Sequence, residues 1–197
     1  MSSQTATASA SNSGSTGLLA HWSKFYKAAS TLSKSSPSQD SQLTSRIQIT
    51  LTSMTQILFG LDPNQKSKVV THGSGALELI VKLMNISQVL EQKGASQQQQ
   101  PSPEVCKSII LSSLKAIKTC VVRNPVGRSR CRSANVLPLL QTILVRYLHP
   151  GEEAMVEEAL TTLAATCLGD DLNALQVSCS KAGLFSEMHL WLLIHMS

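Results

Sequence analysis

One apolar spacing occurs three times along the chain and limits what it can fold into. Ile47, Leu51, Met54 and Leu58 are separated by four, three and four residues, as are Ile110, Leu114, Ile117 and Val121, and again Val156, Leu160, Leu163 and Cys167. That interval places all four side chains on one face of an α-helix. An Asn follows each stripe (Asn64, Asn124, Asn173), and ten or eleven positions further on stands a small or turn-forming residue: Gly75, Asn135 and Gly183. A second stripe comes next: Leu77, Ile80, Leu83 and Met84; then Leu137, Leu140, Ile143 and Leu144; then Phe185, Met188, Trp191 and Leu192. Gly75 and Asn135 are 60 positions apart and Asn135 and Gly183 are 48 apart; without the 12 residues 92–103 the first interval is also 48. Units of this kind cannot bury their own apolar faces, so they stack and share one core. The expected fold is all-α, a short α-solenoid of about three units spanning 42–91, 104–148 and 152–197.

Composition agrees with helix-on-helix packing. Of 197 residues 42% are apolar and only 4% aromatic, so the core must be built from Leu, Ile, Val, Ala and Met, which suit helices better than a β-branched, aromatic-rich sheet. Residues 1–17 are uncharged and dominated by Ser, Thr and Ala, a composition that cannot offset the entropy of ordering, and disorder is expected there. Leu18, Leu19, Trp22, Phe25, Tyr26, Ala29 and Leu32 recur at helical intervals and predict an N-terminal capping helix over 18–34. Gln-rich, Pro-containing residues 92–103 read as a surface loop inserted between units. Acids at Glu104 and at Glu152 and Glu153 stand where carboxylates favour a helix start.

The run QITLTSMTQILFGLDPNQKSKVVTHGSGALELIVKLM, with its echoes RNPVGRSRCRSANVLPLLQTIL and EEALTTLAATCLGDDLNALQVSCSKAGLFSEM, resembles armadillo repeats. Gly75-Ala76-Leu77-Glu78, Asn135-Val136-Leu137-Pro138 and Gly183-Leu184-Phe185-Ser186 fall where that family has a Gly-type turn before its apolar second helix. The resemblance covers roughly residues 42 to 195 and implies a superhelix that binds proteins along its grooves without catalysis. HEAT repeats have a similar period. Peptide-binding members carry an Asn ladder on the long helix, at the place held here by Gln56, Thr119 and Ala165. None is Asn, so backbone clamping of an extended cargo peptide does not carry over.

Chemistry is thinly represented. His21, His72, His149, His189 and His195 stand singly, without carboxylates at metal-ligand spacing, and Cys106, Cys120, Cys131, Cys167 and Cys179 form no C-x-x-C pair. No catalytic, cofactor-binding or metal residues are assigned, and no enzyme activity is expected. Residues 71–78, THGSGALE, are the nearest approach to an anion-binding turn, and Gly73 and Gly75 serve there as a sharp helix-to-helix bend. An odd number of cysteines, no signal sequence and no run of eighteen apolar residues predict an intracellular protein, cytoplasmic or nuclear, with no membrane span.

Charge carries more information. Residues 103–148 hold eight basic side chains against Glu104 alone, and residues 149–197 hold Lys181 against seven acids. Neighbouring units leaning on each other is one reading of this asymmetry. The other is that Arg123, Arg128, Arg130 and Arg132, clustered on one connector, receive another protein through an acidic or phosphorylated segment. Nucleic acid is disfavoured because no aromatic residue lies in that cluster to stack a base. The sequence ends with Trp191, Leu192 and Ile194 close together on an apolar stripe, which calls for a covering partner, a further unit or self-association. The function expected is a non-catalytic interaction scaffold or adaptor, with a docking subunit of a larger solenoid as the alternative.

Overall fold

The computed structural model describes residues 40–71, 75–94 and 102–179. These form eight α-helices, and no strand occurs among the described residues. In chain order they are α1 (Asp40–Gly60), α2 (Pro63–Thr71), α3 (Ala76–Gly94), α4 (Pro103–Val121), α5 (Pro125–Ser133), α6 (Val136–Tyr147), α7 (Glu153–Cys167) and α8 (Asp171–Cys179). The all-helical expectation holds. The expected disordered start, the capping helix at 18–34, Gly183 and the C-terminal Trp191, Leu192 and Ile194 lie outside the described residues.

Each stripe that is described sits inward. Ile47, Leu51, Met54 and Leu58 are buried on α1, Ile110, Leu114, Ile117 and Val121 on α4, and Val156 and Leu163 on α7. The long helix α4 packs against α1 on one side and α7 on the other, with α3 also against it. Two contact faces need more than one stripe, and α4 supplies them by burying Cys106, Ile109, Ser113, Ala116 and Cys120 as well. The short helices follow the same order, with α2 on α5 and α5 on α8. The Gln-rich insertion is shorter than expected, since α3 runs on to Gly94 and Ser102 caps α4, its hydroxyl accepting from Val105 N.

The recurrent Asn resolves differently from the sequence reading. What recurs is an Asx residue capping each short helix: Asp62 accepts from Gln65 N at 2.9 Å, Asn124 from Gly127 N at 3.1 Å and Asp170 from Asn173 N at 3.0 Å. Asn64 lies exposed inside α2, and Asn173 is a buried member of α8. The Gly75 and Asn135 turns do correspond, both holding positive φ, +41° and +57°.

The bend between α4 and α5 brings backbone against backbone. A Cβ on Gly127 would lie 2.5 Å from the Cys120 carbonyl oxygen and 2.9 Å from Asn124 Nδ2, so only glycine lets α5 start this close to the end of α4. Gly127→Ala is expected to cost about 1–3 kcal/mol, because the obstacle is backbone. Urea unfolding checks this; an unchanged midpoint would show that the bend has slack.

Candidate protein-binding groove

The four arginines of the basic cluster do not act as one patch. Residues 125–133 are a helix, α5, rather than a connector. Arg130 Nε meets Glu78 Oε1 of α3 at 3.0 Å. Arg132 Nη1 meets Asp170 Oδ1 at 2.6 Å and Asn173 Oδ1 at 2.8 Å, while its Nη2 donates to Ser129 Oγ at 3.0 Å. Arg128 is half-buried, with Nη1 3.5 Å from the Val121 carbonyl oxygen. Arg123 alone is exposed and has no ion pair among the described residues, and it holds φ +53°, the left-handed conformation at the end of α4 that Gly169 takes at the end of α7. Arg130 and Arg132 therefore join segments of this chain.

The charge asymmetry has the same origin. Lys107 pairs with Glu152, Lys118 with Glu158 at 2.5 Å and Arg132 with Asp170, each crossing from residues 103–148 to the acidic segment that follows. Arg146 meets Glu91 Oε2 at 3.0 Å, and the Tyr147 hydroxyl donates to the same oxygen at 2.5 Å, joining α6 to α3. The contact with Glu152 holds the Lys107 ammonium above its ordinary range.

Several large apolar side chains face solvent, and three of them hold corresponding positions at the ends of the long helices, forming a row in register. Phe59 is 80% exposed, Val122 42% and Leu168 73%, and each directly follows the last member of its stripe. Beside Phe59 a groove of about 430 Å³ runs between α1 and α4, lined by Thr52, Thr55, Gln56, Phe59, Ser112 and Lys115. Two of the hydroxyls that line it turn back to their own helices: Thr55 to the Leu51 carbonyl at 2.8 Å and Ser112 to the Ser108 carbonyl at 2.9 Å. Gln56 lines the groove, and Thr119 bonds the Lys115 carbonyl at 2.8 Å. The apolar row escaped the sequence reading, although its signal was present: one large apolar residue directly after each stripe, out of phase with it.

No group of three or more His, Cys, Asp or Glu able to hold a metal occurs among the described residues. Of the histidines only His149 is described, and it is exposed. Cys106, Cys120 and Cys131 are buried free thiols. Burial pushes the Cys106 thiol up to about 11 and the Cys131 thiol to about 12, and raises Cys120, Cys167 and the Tyr147 hydroxyl. Such thiols make poor nucleophiles. No helix among the described residues is long and apolar enough to cross a membrane. No family model, curated protein or solved structure matches the chain.

Arg132→Ala leaves Asn173 Oδ1 and Asp170 without their guanidinium and is expected to cost about 1–3 kcal/mol. Arg123→Gly relieves a left-handed backbone and gains up to about 1 kcal/mol; thermal melts of the two variants shifting the same way would contradict this division. A thiol that holds its proton more firmly when folded stabilises the chain fully below its ordinary value of 9.0 and loses that contribution as pH rises through 11 to 12. The urea midpoint is therefore expected to fall above pH 9, less steeply when Cys106 and Cys131 are both replaced by Ala, as a pH series of unfolding curves would record.

Proposed function

We propose that this chain is a non-catalytic protein-binding scaffold, a short α-solenoid of armadillo-like repeats that holds its partner along the exposed ends of α1, α4 and α7. The observation that carries this reading is the row Phe59, Val122 and Leu168. Large apolar side chains exposed at corresponding steps of three neighbouring helices are costly to keep in water unless something covers them. The side-by-side order of the long helices, repeated by the short ones, supports the solenoid.

The partner's chemistry follows from the exposed cations without an ion pair among the described residues. Lys115 lines the groove and Arg123 stands next to Val122, so the matching segment carries apolar side chains with carboxylates between them. With Arg130 and Arg132 engaged internally and Arg128 half-buried, Arg123 is the exposed member of the arginine cluster left to meet an acidic or phosphorylated group.

A photo-crosslinking residue placed at 59, 115 or 168, with 145 as a control on α6, tests the proposal in cells. The same partner is expected from all three groove positions and not from the control, and Phe59→Asp with Leu168→Asp should reduce its recovery by about tenfold. Equal capture at all four positions, or recovery untouched by the double variant, would overturn the reading.

A further inference from the structure

We propose that Ser133 is a phosphorylation site for an arginine-directed serine/threonine kinase, and that the phosphate uncouples α5 from α3. In the 197-residue sequence Ser133 is the only Ser or Thr with Arg at both the fifth and the third position before it, Arg128 and Arg130, and Arg132 directly precedes it. A kinase cleft lined by carboxylates selects this pattern by charge, because guanidinium groups pair with carboxylates through two parallel hydrogen bonds.

The place of Ser133 in the fold suits modification. It is the last residue of α5 and is exposed, and Ala134 and the left-handed Asn135 have already left the helix. α5 has nine residues and buries only Gly127 and Cys131. A helix that short, well under the roughly 12–15 residues an isolated helix needs, stands on its surroundings alone. Local opening can then present the segment in the extended form that a kinase cleft takes.

Transfer is balanced by MgATP as co-substrate. A bond forms between Ser133 Oγ and the γ-phosphorus, the bond from that phosphorus to the oxygen bridging to the β-phosphate breaks, the hydroxyl proton passes to the kinase's catalytic carboxylate, and ADP leaves.

The consequences are set by the contacts already made. Ser133 Oγ donates to the Arg130 carbonyl oxygen at 3.0 Å, and esterification removes that proton. The phosphate then brings about −1.5 to −2 charges to the negative end of a helix, which destabilises the last turn. It also stands three residues from Arg130 on the same helix face and competes with Glu78 for the guanidinium now 3.0 Å from Glu78 Oε1. The second oxygen of Glu78 is buried without a hydrogen-bond partner among the described residues, so the carboxylate loses its ion pair when Arg130 turns away.

The test treats the full chain with the catalytic domain of an arginine-directed kinase and MgATP, maps phosphate by mass spectrometry and follows amide hydrogen exchange. Ser133 is expected to carry the phosphate, Ser133→Ala to abolish it there, and Arg130→Lys to slow incorporation severalfold. Exchange in α5 and around Glu78 should rise by about tenfold or more on phosphorylation, while kinase-treated Ser133→Ala, which circular dichroism should show folded, stays at the untreated level. Failure to modify Ser133 in the folded chain would overturn the site, even if the isolated 123–137 peptide were modified. Phosphate on Ser133 with unchanged exchange would overturn the switch.

Discussion

A long helix that ends inside packed structure leaves carbonyl oxygens with no water to meet, and this demand organises the bends of the fold. Asn124 answers it after α4: buried, it donates to the Cys120 carbonyl, accepts from Gly127 N, and accepts from Ser67 Oγ of α2 at 2.8 Å. After α7 two residues divide the work. Asp170 caps α8, and Asn173 donates to the carbonyls of Thr166 and Arg128, each at 2.8 Å, while accepting from Arg132. One side chain therefore ties a helix end to the next helix and to the neighbouring segment. With these ties in place the short helices take their order, and the ends of the long helices turn outward.

The basic and acidic halves of the chain are complementary parts of one seam. Lys107, Lys118 and Arg132 each reach an acid in the following segment, and Arg130 and Arg146 reach back to α3. Each such pair is modest alone, but together they favour the faces that meet, because a slip by one helical turn would break the pairs. The outward row is left mostly apolar, with Lys115 and Arg123 as its nearby cations.

Helices were legible in the sequence because burial on one face imposes a period that survives any detail of packing. The stripes of α1 and α4 are buried at all four positions, and the left-handed turn at Asn135 matches the one at Gly75. Partners were not legible. Spacing says which face a residue takes but not what stands opposite, so arginines that read as an open patch are in two cases internal links. α5 read as a connector because a nine-residue helix with five polar or charged residues among its last six carries no stripe; its helicity comes from the Asn124 cap, Pro125 at its start and its neighbours. Asn173 fell on the expected beat by position while its capping counterpart was Asp170, three residues earlier. The groove needed α1 and α4 to be set side by side before Phe59 and Lys115 could be seen to share it.

Phe59 lies on α1, Val122 and Leu168 directly follow α4 and α7, and α4 packs against both other helices, so the step along the row is set by the width of a packed helix, roughly 8–10 Å. Loop length does not enter that dimension. The stretch joining α3 to α4 can lengthen or shorten without altering the pitch of the row, which leaves the chain free to vary its connections while the distances offered to whatever lies across it stay the same.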